Sequence, residues 1–158
     1  MSIIISTLAL LATFYQLYLQ RVHNEKSLKP LGQIDVVDHR SRIYIYIRNN
    51  GMGPMIIDRL TFTKAEQQYT NLEDCLELDR RSYMSISTGD KLKRVVLPNA
   101  HLIVFETQFE DHEDEAEKDT VRKQLAPISL KAECRDIYDN KIIFERTLEW
   151  FSGQIQNE

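Results

Sequence analysis

The sequence predicts a mainly β protein: an N-terminal transmembrane helix, then an antiparallel, immunoglobulin-like β-sandwich with one or two short helices. Two observations carry that expectation. Met1 to Gln20 contains no charged side chain, and as a helix it reaches roughly 30 Å, the thickness of a hydrocarbon core. Everything after Arg21 falls into short alternating runs separated by turn residues, without the strand–helix alternation of a doubly wound sheet. The boundaries follow: transmembrane helix 1–22, juxtamembrane connector 23–32, sandwich 33–152, tail 153–158.

Within the helix, Ser2, Ser6, Ala9, Thr13, Gln16 and Gln20 recur at heptad spacing. In lipid, small and polar stripes are where helices meet, and a charge-free polar stripe can also line a narrow pore. A plain anchor is the third reading, with Ser and Thr hydroxyls bonded back to their own helix. All three remain open at this point. No basic n-region or A-x-A site marks a cleaved signal peptide. Phe14, Tyr15 and Tyr18 read instead as interfacial anchors, so the helix is expected to be retained. Arg21, His23, Lys26 and Lys29 outweigh Glu25 on the C-terminal flank. The positive-inside bias then predicts a single-pass inner-membrane protein with a cytoplasmic C-terminal domain. Cys75 and Cys134 form no disulfide framework, as expected of reduced thiols.

The elements follow in order. Pro30 stops any helix leaving the membrane, and Gly32 lets the chain turn. Gln33 to Asp38 is a short strand. Arg42 to Arg48 is the clearest one, with Ile43, Ile45 and Ile47 on one face and Arg42, Tyr44, Tyr46 and Arg48 on the other. Asn49 to Pro54 is a turn whose glycines are expected to supply positive φ. Met55 to Thr63 returns as a strand. Thr70 to Leu78 is a short helix, capped by Thr70 or Asn71. Tyr83 to Ser87 and Lys93 to Leu97 are strands, the second stopped by Pro98. His101 to Gln108 is apolar on both faces, which suits a central strand. Glu113 to Leu125 reads as a solvated loop or helix, with acidic residues ahead of basic ones as a helix dipole favours. Ile128 to Arg135 alternates cleanly, Asp139-Asn140 turns the chain, Ile142 to Leu148 closes the sheet, and Gly153 to Glu158 frays.

Three stretches carry a resemblance: His23-Asn24 through Ser27-Leu28-Lys29-Pro30, Asn50-Gly51-Met52-Gly53-Pro54, and Cys134-Arg135-Asp136-Ile137-Tyr138. Together they resemble small bacterial proteins with one N-terminal span and a C-terminal β-sandwich. That group is similar to membrane effectors of anti-phage defence systems. The resemblance implies a membrane-depolarising effector that answers a partner or a nucleotide signal. It implies no site residues.

The chain carries 20 Lys and Arg against 24 Asp and Glu, a net charge of −4, which argues against a general nucleic-acid coat. There is no G-x-S-x-G, H-E-x-x-H or phosphate-cradling glycine loop, so no catalytic residue, cofactor or metal is assigned. Asp111, His112, Glu113 and Asp114 lack the glycine and spacing of a calcium loop. Cys134 is expected in the core. One constellation stands out: Arg42, Tyr44, Tyr46 and Arg48 on one strand face, with Lys91, Lys93 and Arg94 as a second basic patch. Tyr stacks on bases and Arg pairs with phosphate, so a nucleotide or single-stranded nucleic acid fits; a subunit or protein interface and a plain outer face fit the same residues. The expected function is a non-enzymatic, self-associating membrane protein, either an effector or pore with a sensing sandwich, or a static scaffold that recruits a protein partner.

Overall fold

The computed structural model describes residues 2–39, 41–86, 93–110 and 115–155. Helix α1 spans Ser2–Ser27 without a break. It therefore runs through the first half of the predicted connector. It stops ahead of Lys29-Pro30, because the proline ring disfavours helical geometry in the residue before it. The last helical bond is Leu28 N–H to Asn24 O, 3.0 Å.

Nine strands follow among the described residues: β1 (Gly32–His39), β2 (Arg42–Asn49), β3 (Met55–Lys64), β4 (Gln67–Tyr69), β5 (Met84–Ser85), β6 (Arg94–Val96), β7 (His101–Gln108), β8 (Ile128–Arg135) and β9 (Lys141–Thr147). One sheet has the order β1-β2-β7-β5. The other has β4-β3-β8-β9, with β6 also paired to β3. All of these pairings are antiparallel. Helix α2 covers Glu115–Leu125.

The core lies between the sheets. Ile43, Ile45 and Ile47 of β2 are buried, as are Leu60 and Phe62 of β3 and Ile128, Leu130, Ala132 and Cys134 of β8. Period-two alternation puts these residues on the inner faces, and each large aliphatic contributes about 1.5–3 kcal/mol by leaving water. β7 lies inside its sheet between β2 and β5, as its two apolar faces predict.

The register divides the sandwich into two poles. Gly32 pairs with Asn49, Arg48 with His101, Met55 with Val96, and Arg135 with Lys141. The turns Asn49 to Met55, Val96 to His101 and Arg135 to Lys141 thus gather at the pole where α1 ends. At the other pole lie α2 and a 3-10 turn, Glu149–Gln154.

Several expectations need correction. The helix predicted over Thr70 to Leu78 is a single 3-10 turn, Leu72–Cys75; Asn71 stands at its N-cap without a side-chain cap bond. Thr70 does not cap it. Of the strand expected from Tyr83 to Ser87, only Met84–Ser85 is strand among the described residues, Ser87 lying outside them, and β4 was not predicted. Helix α2 is not simply solvated, since Asp119, Val121, Arg122 and Leu125 are buried. The start of the predicted tail is ordered, because Gly153 and Gln154 belong to the 3-10 turn that buries Phe151; Gln156 to Glu158 lie outside the described residues. None of the described glycines has positive φ; the residues that do are Ala65, Glu66, Asn99 and Asp139.

Candidate functional site

The Arg-Tyr-Tyr-Arg strand face lies on the outer surface of the first sheet. Strand alternation aims all four side chains away from the core. Tyr44 and Tyr46 stack at 4.2 Å between ring centroids, 17° apart. The His101 ring of β7 extends the stack, 4.5 Å from Tyr46. Burial raises the Tyr46 pKa, with the Glu106 carboxylate and Tyr44 adding to the rise. An open groove of about 640 Å³ borders the ladder at His39, Ser41 and Arg42.

The charges on this face are already matched. Arg48 Nε meets Asp35 Oδ2 of β1 at 3.0 Å, and Arg42 Nη1 lies 3.8 Å from Glu106 Oε1 of β7. Each guanidinium sits beside a carboxylate that weakens its pull on a phosphate, so the arrangement suits a flat aromatic contact better than an anion. Nor does the fold unite the two basic patches. Lys93 directly precedes β6, and Arg94 lies in it, on the other sheet; Lys91 lies outside the described residues. Sequence reading missed His101, Asp35 and Glu106, since only strand register brings them beside Tyr46, Arg48 and Arg42.

Along α1 the stripe residues Ser6, Ala9, Thr13, Gln16 and Gln20 are exposed, as are the apolar residues around them; Ser2 opens the helix. Ile3–Ser27 has mean hydropathy 1.5 over its apolar window and no part of that window is covered by the sandwich. This is a helix long and apolar enough to cross a membrane. Thr7 Oγ1 donates to Ile3 O and Thr13 Oγ1 to Ala9 O, both at 2.9 Å. Those hydroxyls are satisfied within the helix, as the plain-anchor reading requires.

The helix joins the sandwich through a clasp. Asn49 is fully buried and uses every polar atom it has. Its Nδ2 donates to Gly53 O at 2.8 Å and Val96 O at 3.1 Å. Its Oδ1 accepts from Leu31 N–H at 3.1 Å and Gly51 N–H at 3.0 Å. Its backbone N–H donates to Ala100 O at 3.0 Å and its carbonyl accepts from Asn99 N–H at 2.9 Å. The glycines of the turn serve close approach rather than positive φ. A Cβ on Gly53 would overlap the Leu28 carbonyl, and one on Gly51 would press on the backbone from Lys29 to Leu31.

Asp136 anchors the neighbouring turn. Its Oδ1 accepts from Tyr138 N–H (2.8 Å) and Asn140 N–H (2.9 Å), and its Oδ2 from Asn140 Nδ2 (2.8 Å). Burial pushes its pKa up, but these bonds, with Lys29 nearby, outweigh burial and hold the carboxyl below the ordinary range. The three stretches singled out in the sequence thus meet at one pole.

Both cysteines are free and buried. Burial pushes the Cys75 thiol up to about 11 and Cys134 up to about 12. Among the described residues no cluster of His, Cys, Asp or Glu has the geometry to hold a metal ion; the acidic run Asp111 to Asp114 lies outside them.

No family model and no curated protein matches the chain. Among solved structures it is similar to the archaellum periplasmic stator protein FlaG from Sulfolobus acidocaldarius, at 7% identity and a TM-score of 0.27, over 73% of this chain and 100% of that one. So slight a likeness carries no argument.

Proposed function

We propose that this chain is a non-enzymatic, single-span membrane protein that self-associates, with span and sandwich moving as one unit. The observation that carries this reading is the clasp, where Asn49, Gly51 and Gly53 leave no slack between the helix end and the sheets. A loose tether has no use for such packing. A protein that passes a change in its sandwich to its span requires it. The flank Arg21, Lys26 and Lys29 favours an inner-membrane span with the sandwich in the cytoplasm. The finer reading is a bacterial defence-type effector or pore whose sandwich senses a partner. Because Arg42 and Arg48 already face carboxylates, the aromatic face favours a protein or a second copy over a nucleotide or single-stranded nucleic acid. The second reading is a static scaffold that recruits a protein partner. Thr13 favours it, because its hydroxyl returns to Ala9 and needs no neighbouring helix.

The full chain in liposomes separates the two. Thr13→Leu with Gln16→Leu keeps the span apolar and helical while removing polar contacts worth on the order of 0.6–2 kcal/mol each. Crosslinked oligomer and ion flux should fall for this pair and hold for Leu11→Ile with Leu17→Ile. A wild type that never conducts leaves the scaffold standing. A Thr13/Gln16 pair that crosslinks and conducts like wild type removes the stripe from the mechanism.

A further inference from the structure

The turns at the helix-exit pole carry exposed apolar side chains: Leu31 in the connector, Met52 between its two glycines, Leu97 ahead of Pro98, and Ile137 with Tyr138 in the β8–β9 turn. Met52 is 73% exposed, Leu31 62% and Leu97 61%. Exposed apolar residues scattered singly over a surface need no explanation, but a set gathered at one end marks an interaction surface. Here Asn49 ties Leu31, the glycine turn and the end of β6 together.

Beside them lies an open pocket of about 540 Å³, between the last turns of α1 and the start of β9. Lys26, Lys29 and Lys141 line it, with Val22, Ile142 and Ile143 as its apolar wall. Two carboxylates also line it, but Glu25 is held by Arg21 at 3.1 Å and both oxygens of Asp136 are engaged within its own turn. The two carboxylates keep their charge, so three ammonium groups against two carboxylates leave the lining weakly cationic, with the lysines as its donors toward an anion. Position completes the match. Val22 and Lys26, which line the pocket, lie about 3 and 9 Å beyond the charge-free stretch along the helix axis, so the pocket overlaps a headgroup layer about 5–8 Å thick.

We infer that this pole is a membrane-docking surface: its apolar loop tips enter the bilayer interface while Lys26, Lys29 and Lys141 take the phosphate of an anionic phospholipid headgroup. This rests on the reading of α1 as a span. Docking would hold the sandwich at a set height and tilt, which the clasp then imposes on the helix.

The test uses the full chain in nanodiscs of phosphatidylcholine, alone or mixed with phosphatidylglycerol, with a dye on Met52→Cys and brominated lipid as quencher. Buried, high-pKa Cys75 and Cys134 should not take the label at neutral pH. Quenching should be strong in the anionic discs and weaken in high salt. Each of Lys26→Gln, Lys29→Gln and Lys141→Gln should lower the docked-to-lifted ratio by about fivefold. Leu31→Ser with Leu97→Ser should weaken quenching in both lipid mixtures. Equally low quenching in both mixtures, from protein that resists alkaline extraction, overturns docking and leaves the span intact. Release by alkaline carbonate overturns the span and docking together. Inorganic phosphate that binds the lysines in phosphatidylcholine discs, with no quenching in anionic ones, makes the pocket a soluble-anion site and overturns docking.

Discussion

Arg122 of α2 forks onto Asp38 of β1, Nε to Oδ2 at 2.7 Å and Nη2 to Oδ1 at 3.1 Å, with both side chains more than nine-tenths buried. The same guanidinium reaches Asp119 at 2.7 Å and Glu115 at 3.2 Å. The Asp38 bond first, then those to Asp119 and Glu115, raise the arginine's pKa against the cost of burial. Ile34, Val36 and Asp38 share the inner face of β1, so the pair pins α2 over the open end of the core. Arg122→Met would strand Asp38 and Asp119 in a poorly hydrated site and should cost roughly 3–5 kcal/mol. Asp38→Asn should cost less, because two carboxylates still hold Arg122. Trp150, in the 3-10 turn packed against α2, reports both in urea titrations of the full chain in detergent. An unchanged midpoint for Arg122→Met would mean the pair does not fasten the helix.

The clasp predicts a contrast between glycines. Gly53→Ala forces the turn off the Leu28 carbonyl and should cost about 3 kcal/mol, the upper end of overpacking. Gly153→Ala, whose Cβ would meet nothing within 4 Å, should be neutral. Asn49→Ala should expose the Leu31 and Gly51 amides to fast hydrogen exchange, since Asn49 Oδ1 is their acceptor. Protection that survives Asn49→Ala would deny the side chain that role.

The two faces of β2 should respond unequally. Ile45→Asp places an unpaired charge where the isoleucine is 1% exposed, at a cost of several kcal/mol. Tyr44→Asp removes one ring of the ladder, worth about 0.5–1.5 kcal/mol, from a half-buried position. Equal damage to the melting of the sandwich would mean that the outer face is covered in the folded protein.

Asp136 sets a pH dependence. Its pKa is lowered in the fold, so its contribution is fully present above the unfolded value of about 3.9. That contribution disappears as pH falls through the lower folded value. Glu115 acts in the same direction, lowered first by its hydrogen bond to Lys118. Urea midpoints should therefore drop steeply below about pH 4, and Asp136→Asn should flatten that drop. A wild-type midpoint insensitive to acid would show that neither carboxylate is linked to folding.

Much of this protein was written in local pattern. A charge-free stretch long enough to cross a bilayer and the alternation of β2, β7 and β8 need only the neighbouring side chains to be read, since burial on one face of a strand repeats every second residue. Elements held by distant partners left no such trace. Strand β4 follows a tight turn with positive φ at Ala65 and Glu66, residues that do not announce a hairpin, and its pairing with β3 overrides their preference. Arg122 looked like one more solvated charge in an acidic helix until Asp38, 84 residues away, came to face it. The ladder Tyr44–Tyr46–His101 and the carboxylates that neutralise Arg42 and Arg48 depend on register between β1, β2 and β7. The sequence by itself determined the long apolar N-terminal helix and the faces of the strands, because those follow from transfer free energy along the chain. Only the tertiary structure decided which charges are paired, why the glycines are glycines, and which loops share a pole, because each depends on what the fold brings against it.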